Sequence, residues 1–426
     1  MSDRRSSRAR CTAGSTFATD LVVRLWAVLL VATACTRDDG ASGTIGVATR
    51  DSAGVEVVTI VGSVESLPEW RLSDEPIAVV SGDAAPFLSW VGEIEILEDG
   101  RFWIEDNQSA GLYLFEADAG SFRMVGREGD GPGEFRNLTE LSLGTGDTAF
   151  AYDRRLYRIS VFDDVGDLVG SLQVGRDFGG PRSLSLDAWG FGADRLLLLS
   201  DVPVDTLEAR TPRRDYSYAD LYALDRDGEV LSGPTRFDGG YSIRSATGDG
   251  GAHFGTRPIV ATGAASVVWG SGDDYELIFG TPLLEPTRIV RWAGWRVPLS
   301  DSVLAHVRDT VTQGMEPLRE QRPDLAESIL SAAFDPVILP DTLPALGQVL
   351  LDDRGRSWVA KFQPSTEGWR QENVWHVLGE DGRPVARLRL GPLAQLKAVR
   401  GDRVAIVVRD DFEVEHVRIH RLTGVR

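Results

Sequence analysis

Short apolar segments alternate with acidic, glycine-containing turns from about residue 51 to the end of the chain. The segments are four to eight residues long and rich in Val, Ile, Leu and aromatic residues, which is typical of β-strands. The turns pair Asp or Glu with Gly, as at 98–100, 163–166, 225–228 and 380–382. Acidic side chains cap such turns and glycine adopts positive φ. The pattern predicts an all-β fold with strands at 55–60, 92–97, 102–105, 112–115, 149–153, 159–162, 196–199, 221–224, 275–279, 358–361, 374–378 and 404–408.

The spacing of the strands predicts how they are grouped. In several units four strands follow one another within about 40 to 50 residues, which is the repeat length of a β-propeller blade. One blade is a four-stranded sheet that needs neighbours to cover its faces. The units must therefore stack and close into a ring.

The unit 126–175 carries the most specific motif. Residues 131–135 (Gly-Pro-Gly-Glu-Phe), Asp153, residues 158–163 (Arg-Ile-Ser-Val-Phe-Asp) and Gly166 follow each other in the order of the NHL repeat, which this unit resembles. The preceding unit is similar more loosely, with Gly111 where an arginine is expected, and later units keep only the turns. The resemblance implies a six-bladed β-propeller (NHL-like) of the exported bacterial lipoprotein type.

We divide the predicted propeller into blades at 87–128, 129–176, 177–238, 239–298, 336–388 and 389–426. The propeller domain as a whole spans 51–426. An early strand, either 55–60 or within 70–80, is expected to complete the last blade beside 413–422. That pairing would remove the open sheet edge, which otherwise invites aggregation.

Residues 300–334 interrupt the strand pattern. Val303, Val307 and Val311 have helical spacing after Ser300, a suitable N-cap, and prolines at 317 and 323 separate a second helix. The segment therefore predicts a short helical insertion between the fourth and fifth blades. It either packs on one face or acts as a lid or docking surface.

The first 35 residues have the layout of an export signal. Arginines precede the apolar segment 25–34, which is too short for an ordinary membrane-spanning helix of about 20 residues. Small residues directly before Cys35 resemble the bacterial lipobox, which implies a signal peptide at 1–34 and lipid attachment at Cys35. A plain secretory signal and an uncleaved anchor are the alternatives. The polar, glycine-containing residues 35–50 predict a flexible tether.

Composition excludes two classes of protein. The chain has 45 Lys+Arg against 64 Asp+Glu, a net charge of −19, and 42% hydrophobic residues. A disordered protein would have fewer apolar residues, and a nucleic-acid-binding protein would need basic surface. Its two cysteines are Cys11 and Cys35, so the processed chain offers no disulfide.

Catalytic motifs are few. No HExxH or Gly-x-Ser-x-Gly motif occurs after residue 35, and the glycine-rich segment before Phe135 lacks the Lys-Ser/Thr of a phosphate-binding loop. His416 and His420 share a strand face and could hold a metal, but packing histidines are the preferred interpretation.

We expect no cofactor, with calcium as the open possibility because propellers often place carboxylates around the channel. Asp130, Asp153 and Glu93 are nevertheless interpreted as turn and blade residues.

The candidate ligand-binding residues follow from their predicted positions on inner strands and loops. They are Trp103, Asp106, Tyr152, Asp153, Arg154 and Arg158. Two interpretations of the basic residues stay open. Arg158 either pairs with Asp153 to orient a turn, or lies with Arg154 and Arg155 in an anion-binding patch.

Two functions are compatible with these features. The first is a non-catalytic binding or scaffold module, lipid-anchored in the cell envelope, monomeric, and specific for a protein, peptide or glycan. The second is a calcium-dependent hydrolase or lyase of the propeller lactonase type. Because one fold hosts both, the fold alone does not decide between them. Side chains converging on the channel axis would favour the enzyme, and an apolar or arginine-lined face would favour the binding module.

Overall fold

The computed structural model describes residues 44–80, 88, 90–174, 186–192, 195–203, 213–245, 248–251, 254–255, 257–263, 265–293, 295, 297–336, 338–364, 373–410, 412 and 414–425. The predicted signal peptide 1–34, Cys35 and tether residues 36–43 lie outside this range. Within it, no helix is both long and apolar enough to span a membrane.

Strands make up most of the described chain, which confirms the all-β prediction. They are β1 (Gly46–Ser52), β2 (Val55–Val61), β3 (Glu69–Leu72), β4 (Ala78–Val80), β5 (Val91–Ile96), β6 (Phe102–Asp106), β7 (Gly111–Phe115), β8 (Phe122–Glu128), β9 (Glu134–Phe135), β10 (Leu138–Leu143), β11 (Ala149–Asp153), β12 (Arg158–Phe162), β13 (Leu168–Gln173), β14 (Leu186–Phe191), β15 (Arg195–Pro203), β16 (Arg213–Leu224), β17 (Val230–Ser245), β18 (Gly248–Gly251), β19 (Ile259–Thr262), β20 (Val267–Gly270), β21 (Glu276–Gly280), β22 (Pro286–Trp292), β23 (Val297–Pro298), β24 (Thr342–Leu343), β25 (Leu346–Leu351), β26 (Ser357–Lys361), β27 (Asn373–Leu378), β28 (Pro384–Leu390), β29 (Ala394–Arg400), β30 (Arg403–Arg409) and β31 (Glu415–Thr423).

Three sheets are built from strands that follow one another in the chain. They are β5–β9, β10–β13 and β14–β18, and within each the long strands pair antiparallel with their neighbours in sequence. In the second sheet, for example, Ala151 on β11 lies opposite Ser160 on β12. The third sheet extends to Gly251, beyond the predicted boundary at 238, because the long strand β17 continues into a hairpin with β18.

The remaining large sheets combine late strands with strands from the start of the described chain. β2 lies parallel to β22, with Val57 opposite Ile289, so β1 and β2 extend the sheet β19–β22. β3 pairs with both β28 and β31, and β4 pairs with β31. The prediction that a strand within 70–80 lies beside the last strand is therefore confirmed, whereas 55–60 joins a different sheet.

Part of the predicted tether is strand in the structure. Residues 46–50 form most of β1, which pairs along its whole length with β2. The physical cause is a two-residue hairpin turn in which Ala53 and Gly54 both have positive φ, at 55° and 86°. Gly54 marks this turn in the sequence, and the tether assignment overlooked it.

The sheets bury their faces against each other. Ile94 and Phe102 of the sheet β5–β9 share a core with Val407 and Ile419 of the last sheet. On the opposite face, Trp103 packs in a cluster that includes residues of β10–β12. A sheet that is covered on both faces by neighbouring sheets is the packing expected of a β-propeller.

The predicted helical insertion is confirmed. It forms α1 (Asp301–Gly314), α2 (Glu316–Gln321) and α3 (Pro323–Ala333), and the Ser300 side chain caps α1 by accepting a hydrogen bond from the Val303 N–H. Proline lies in the first turn of both α2 and α3. Backbone N–H groups in the first turn make no hydrogen bond within the helix, so proline, which lacks an N–H, is tolerated there. The segment is thus three helices rather than two. Val307 and Leu330 bury against Phe254 and Phe334.

Candidate functional site

A cavity of about 380 Å³ opens where the first strands of the sheets meet. Its wall takes residues from β5, β10, β14, β19, β25 and β29, so it is the central channel of the ring. Pockets of about 300 to 1,000 Å³ are typical of small-ligand sites. The charged and aromatic lining residues are Glu93, Glu95, Glu140, Asp187, Trp189, Asp352, Asp353, Lys397 and Arg400.

The acidic residues cluster on three consecutive inner strands. Glu93 and Glu95 lie on β5, Glu140 on β10, and Asp187 with Trp189 on β14. Residues two apart on a strand share a face, so each strand directs polar side chains toward the channel while the residues between them enter the sheet core. Ile94, between the two glutamates, is accordingly 1% exposed.

Hydrogen bonds hold two of these carboxylates in place. The indole Nε1 of Trp189 donates to Glu140 Oε2 at 2.9 Å, and the guanidinium of Arg154 forms an ion pair with Asp187. Burial, followed by the nearby charge of Asp187, raises the pKa of Glu140 well above its ordinary value, while the Trp189 hydrogen bond acts in the opposite direction. Glu140 therefore sits where a negative charge is poorly solvated.

Glu95 and Glu105 are affected in the same way. Burial first, and then the charge of Glu93, raises the pKa of each to about 8. Glu105 on β6 is fully buried behind the channel wall, and its Oε2 accepts a hydrogen bond of 3.2 Å from the Glu93 N–H. Its Oε1 has no hydrogen-bond partner in the part of the chain that the structure describes.

Three of the other charged lining residues, Arg400, Asp352 and Asp353, make structural contacts. Arg400 donates to the Ile96 carbonyl and to Asp147. Asp352 accepts hydrogen bonds from Arg356 and from the Trp358 indole, and Asp353 accepts one from the Gly401 N–H. Glu93, Glu95, Glu140 and Asp187 thus lie on β5, β10 and β14, and Lys397 on β29 lines the same cavity.

The carboxylates of the described residues do not suit calcium. Calcium takes six to eight oxygen ligands. Among the residues that the structure describes, no group of three or more His, Cys, Asp or Glu side chains is arranged to hold a metal ion. Asp187 already pairs with Arg154, and Glu140 already accepts the Trp189 hydrogen bond. We therefore derive no metal-dependent step.

The structure places three of the predicted site residues in the sheets and turns behind the channel. Trp103 is fully buried between the first two sheets. Asp106 accepts hydrogen bonds from the N–H groups of Trp90 and Gln108 and from the Ser109 hydroxyl, which shapes the turn after β6. Asp153 does the same after β11, accepting from three backbone N–H groups, those of Arg136, Asn137 and Leu156.

The other three predicted site residues are Tyr152, Arg154 and Arg158. Tyr152 is 1% exposed, and its hydroxyl has no hydrogen-bond partner among the described residues. Burial, with the charge of Asp187, raises its pKa. Arg154 contacts the channel through Asp187, whereas Arg158 donates to the carbonyls of the glycine-rich loop at 130–134. The cavity wall itself contains none of the six predicted residues.

The predicted pair of Asp153 and Arg158 is not formed. Asp153 lies opposite Arg158 in the strand register, but each side chain bonds to other groups. His416 bonds to Asp410, and His420 to the Ser73 carbonyl, so the two rings have separate partners. Both histidine rings are thus engaged with other groups of the chain.

Sequence analysis missed Glu95, Glu140 and Asp187 as site residues, and it interpreted Glu93 as a turn or blade residue. A signal was present in the segment 91–96 (Val-Gly-Glu-Ile-Glu-Ile), where two acids alternate with buried apolar residues. Acidic side chains are rarely buried unless they are paired. When they occur in a strand that is covered on both faces, they therefore indicate that part of the strand borders a polar space.

Comparisons with known proteins give distant structural similarity only. No protein family model matches the chain, and no curated protein matches it. Among solved structures it is similar to a member of the DUF4221 family from Bacteroides vulgatus, at 12% identity, covering 84% of this chain and 99% of that one, with a TM-score of 0.49. It is also similar to the calcium-binding protein regucalcin from Agrobacterium tumefaciens, at 11% identity, 84% and 97% coverage, and a TM-score of 0.37. Neither likeness assigns a ligand or an activity to this chain.

Proposed function

We propose that this protein is a six-bladed β-propeller that binds a ligand at its central channel without catalysis, and that Cys35 anchors it by lipid to the bacterial cell envelope. The observation that carries the binding role is the channel cavity, which Glu93, Glu95, Glu140 and Trp189 line. Convergent polar groups in a preformed cavity are the usual features of a ligand site.

The blade count rests on the inner strands. Six of the strands that line the cavity, β5, β10, β14, β19, β25 and β29, are each the first strand of one sheet or of one part of a sheet. The nine-stranded sheet counts as two blades, β25–β28 and β29–β31, because only β3 connects them. The early strands β1–β4 complete the last three blades.

Several features favour binding over catalysis. The cavity volume of about 380 Å³ suits one long side chain or a small sugar, so a protein, peptide or glycan could insert one group. Nucleophilic catalysis needs a nucleophile within hydrogen-bond reach of a base. Ser142, the serine in the cavity wall, instead accepts a hydrogen bond from the Gly190 N–H.

A cavity-filling variant tests the binding role. Gln348 lies in the channel wall on β25, and Gln348→Trp fills the cavity. The control is Gln173→Trp, which adds the same side chain on the exposed strand β13. Arrays of peptides and glycans are probed with the full chain in detergent. We expect ligands that bind the wild type and the control but not Gln348→Trp, and equal binding by both variants contradicts the proposal.

A pair of cysteine variants tests the anchor. Cys35→Ala removes the predicted acylation site, whereas Cys11→Ala changes a cysteine inside the predicted signal peptide. We expect Cys35→Ala to shift the protein from the membrane to the soluble fraction, and Cys11→Ala to leave it in the membrane. Unchanged partitioning of Cys35→Ala contradicts lipid anchoring.

A further inference from the structure

We propose that two copies of this protein form a dimer by pairing their β13 strands antiparallel, so that two blades join into one continuous sheet. This inference goes beyond the proposed channel-binding function, because β13 lies at the outer edge of its blade and β10 lines the channel. It takes the place of the monomer expected from the sequence.

The outer edge of β13 has backbone groups available for pairing. β13 ends the sheet β10–β13, and among the residues that the structure describes no strand pairs with its outer side. On its inner side, the Val174 N–H donates to the Tyr157 carbonyl at 2.8 Å. Residues along an antiparallel strand bond alternately to one side and to the other. Ser171 and Gln173 therefore direct their backbone N–H and C=O groups outward.

In other blades an added strand covers the outer edge. β9 lies beside β8, β2 beside β22, β3 beside β28, and β4 beside β31. In the third sheet, β18 covers β17 at residues 242–245. Strand addition is thus a recurring way in which this fold completes a blade. A strand from a second copy would complete β13 in the same way.

The sequence of β13 does not protect its edge. Natural edge strands are kept from pairing with other chains by charged residues and proline. β13 (Leu-Val-Gly-Ser-Leu-Gln) contains neither. By contrast, the part of β17 that β18 leaves uncovered contains Pro234, Arg236 and Asp238. The other exposed outer strand, β1, contains Arg50 and Asp51.

An apolar surface surrounds this edge. A Cβ on Gly228 would lie 3.7 Å from the Leu172 side chain, so the turn before β17 lies beside β13. The exposed apolar residues on β13, in the turn before it and at the start of β17 are Val165, Leu168, Val169, Val230 and Leu231. Contiguous exposed apolar surface marks an interaction site on a soluble domain.

A second copy fits the edge because β13 is complementary to itself. With a two-fold axis at Ser171, the two Ser171 residues face each other, and their hydroxyls can form a hydrogen bond, a favourable cross-strand pair. Leu172 then lies opposite Gly170 of the partner subunit. A Cβ on Gly170 would have nothing within 4 Å, so there is space for the leucine. Val169 lies opposite Gln173 of the partner subunit.

The charges near the strand permit this contact. In this register no charged residue of one β13 lies opposite a charged residue of the other. Asp167, directly before β13, already forms an ion pair with Arg123 of its own chain. One strand pair buries less than the about 1,200 to 2,000 Å² of a stable interface. We therefore expect a weak dimer, which a covalent trap detects best.

Cysteine cross-linking provides the test. Cells that produce the full chain are broken, and the fraction that contains the protein is oxidised with copper phenanthroline at about 0.15 M salt, which screens the net charge of −19. Hydrogen-bonded residues in an antiparallel pair have Cα atoms about 5.5 Å apart, within disulfide range. We expect Ser171→Cys to give a disulfide-linked dimer of this chain on a non-reducing gel.

Val169→Cys is the matched control for the register. Val169 is more exposed than any other residue of β13 named among the exposed apolar side chains, at 61%. It lies two residues from the axis, so two Val169→Cys side chains in the dimer would be about 13 Å apart, too far for a disulfide. We expect little cross-linking of this variant. The wild type shows what Cys11 and Cys35 contribute.

A charge on the edge should dissolve the dimer. Adding Val169→Lys to Ser171→Cys is expected to lower the cross-linked fraction about tenfold or more, because a lysine on an edge strand opposes pairing. Val385→Lys is the control, since Val385 is exposed on β28, whose edge β3 covers. If Ser171→Cys does not accumulate, the double variant Val169→Cys/Gln173→Cys replaces it, because these positions lie opposite each other in the register.

The outcomes decide between a second copy and other occupants. No cross-link, or equal cross-linking of Ser171→Cys and Val169→Cys, overturns the dimer. A Ser171→Cys cross-link to a chain of different mass also overturns it, in favour of another protein that adds a strand. Gln348→Trp fills the channel and should leave the cross-link unchanged, so failure of the dimer and failure of channel binding are separate results.

Discussion

Trp189 and Glu140 join two neighbouring inner strands across the channel wall. The hydrogen bond from the indole Nε1 to Oε2 is 2.9 Å long and links β14 to β10. The two residues are 49 positions apart in sequence. Their contact fixes the orientation of an acidic side chain and of an aromatic ring at the place where we expect the ligand.

Removal of this hydrogen bond should change the titration of Glu140. Trp189→Phe keeps an aromatic ring but lacks the N–H donor, and the Trp189 hydrogen bond is the interaction that lowers the Glu140 pKa. We expect the pKa of Glu140 to rise further in the variant. Carbon-13 NMR of labelled glutamate carboxyls measures it, and Trp292→Phe, whose N–H donates to the Gly62 carbonyl, is the control.

The buried glutamates should make stability depend on pH. The pKa of Glu105 is about 8 in the folded protein against an ordinary 4.5, so the folded state binds more protons between these values. The free energy of unfolding must therefore fall as the pH rises from about 4.5 to about 8. We expect the Tm at pH 6 to exceed that at pH 9 by about 2 °C or more.

Glu105→Gln isolates this contribution. The amide does not ionise, so the decrease in Tm between pH 6 and pH 9 should be smaller in the variant than in the wild type. Glu98→Gln, in an exposed turn, is the control and should keep the wild-type slope. Identical slopes for wild type and Glu105→Gln would show that Glu105 is not the titrating group.

Asp352 should be essential for stability. Its side chain is fully buried and accepts hydrogen bonds from the Arg356 guanidinium at 2.6 Å and from the Trp358 indole at 2.9 Å. Arg356 in turn lies over the ring of Trp70 on the early strand β3. Asp352→Ala leaves this guanidinium buried without its partner, which costs about 3 to 5 kcal/mol. Urea denaturation measures the loss.

Asp381 provides the matched comparison. It lies directly before Gly382 in another hairpin turn, but its side chain is 59% exposed and its partner Arg383 is exposed as well. Asp381→Ala should therefore cost less than about 1 kcal/mol. Similar losses at Asp352 and Asp381 would mean that the buried contacts to Arg356 and Trp358 contribute little.

Two strand glycines should respond differently to the same substitution. A Cβ on Gly190 would lie 1.9 Å from the Phe150 ring, whereas a Cβ on Gly170 would have nothing within 4 Å. Gly190→Ala must displace a buried ring and is expected to destabilise by about 1 to 3 kcal/mol or more. Gly170→Ala should be neutral or stabilising by up to about 1 kcal/mol. Thermal unfolding of both variants checks this difference.

Arg158 should stabilise the loop before β10. Its guanidinium donates to the carbonyls of Asp130, Gly131 and Glu134 and so clamps the glycine-rich segment 130–134. Arg158→Ala is expected to cost about 1.5 to 3 kcal/mol, the range for hydrogen bonds to a charged group. The exposed neighbour Arg155 is the control, since Arg155→Ala should be nearly neutral. Equal unfolding midpoints for the two variants would refute the clamp.

The strands and turns were predictable because their causes are local. The strand at 149–153 and the turn before Gly166 follow from residue types within a few positions. The helices at 300–334 follow in the same way from Ser300, the valine spacing and the prolines. Gly54 carried an equally local signal for the first hairpin.

The candidate site could not be predicted in this way. Glu105 and Glu140 come from different sheets, and their separation depends on how two blades pack. The role of Arg154 likewise depends on Asp187, 33 residues away. An acidic residue in a strand has the same sequence signature whether it faces bulk water or a channel.

The sequence by itself determined the all-β class, the repeat, the helical insertion and the turn residues, because period-two patterning and turn chemistry act over a few residues. Only the tertiary structure decided that β2 joins one late sheet and that β3 and β4 join another, and that Glu93, Glu95 and Glu140 line one cavity with Trp189. Ring closure brings together residues that are far apart in the chain. The electrostatics of the channel arises from that packing, since burial and mutual repulsion among carboxylates exist only once the sheets have assembled.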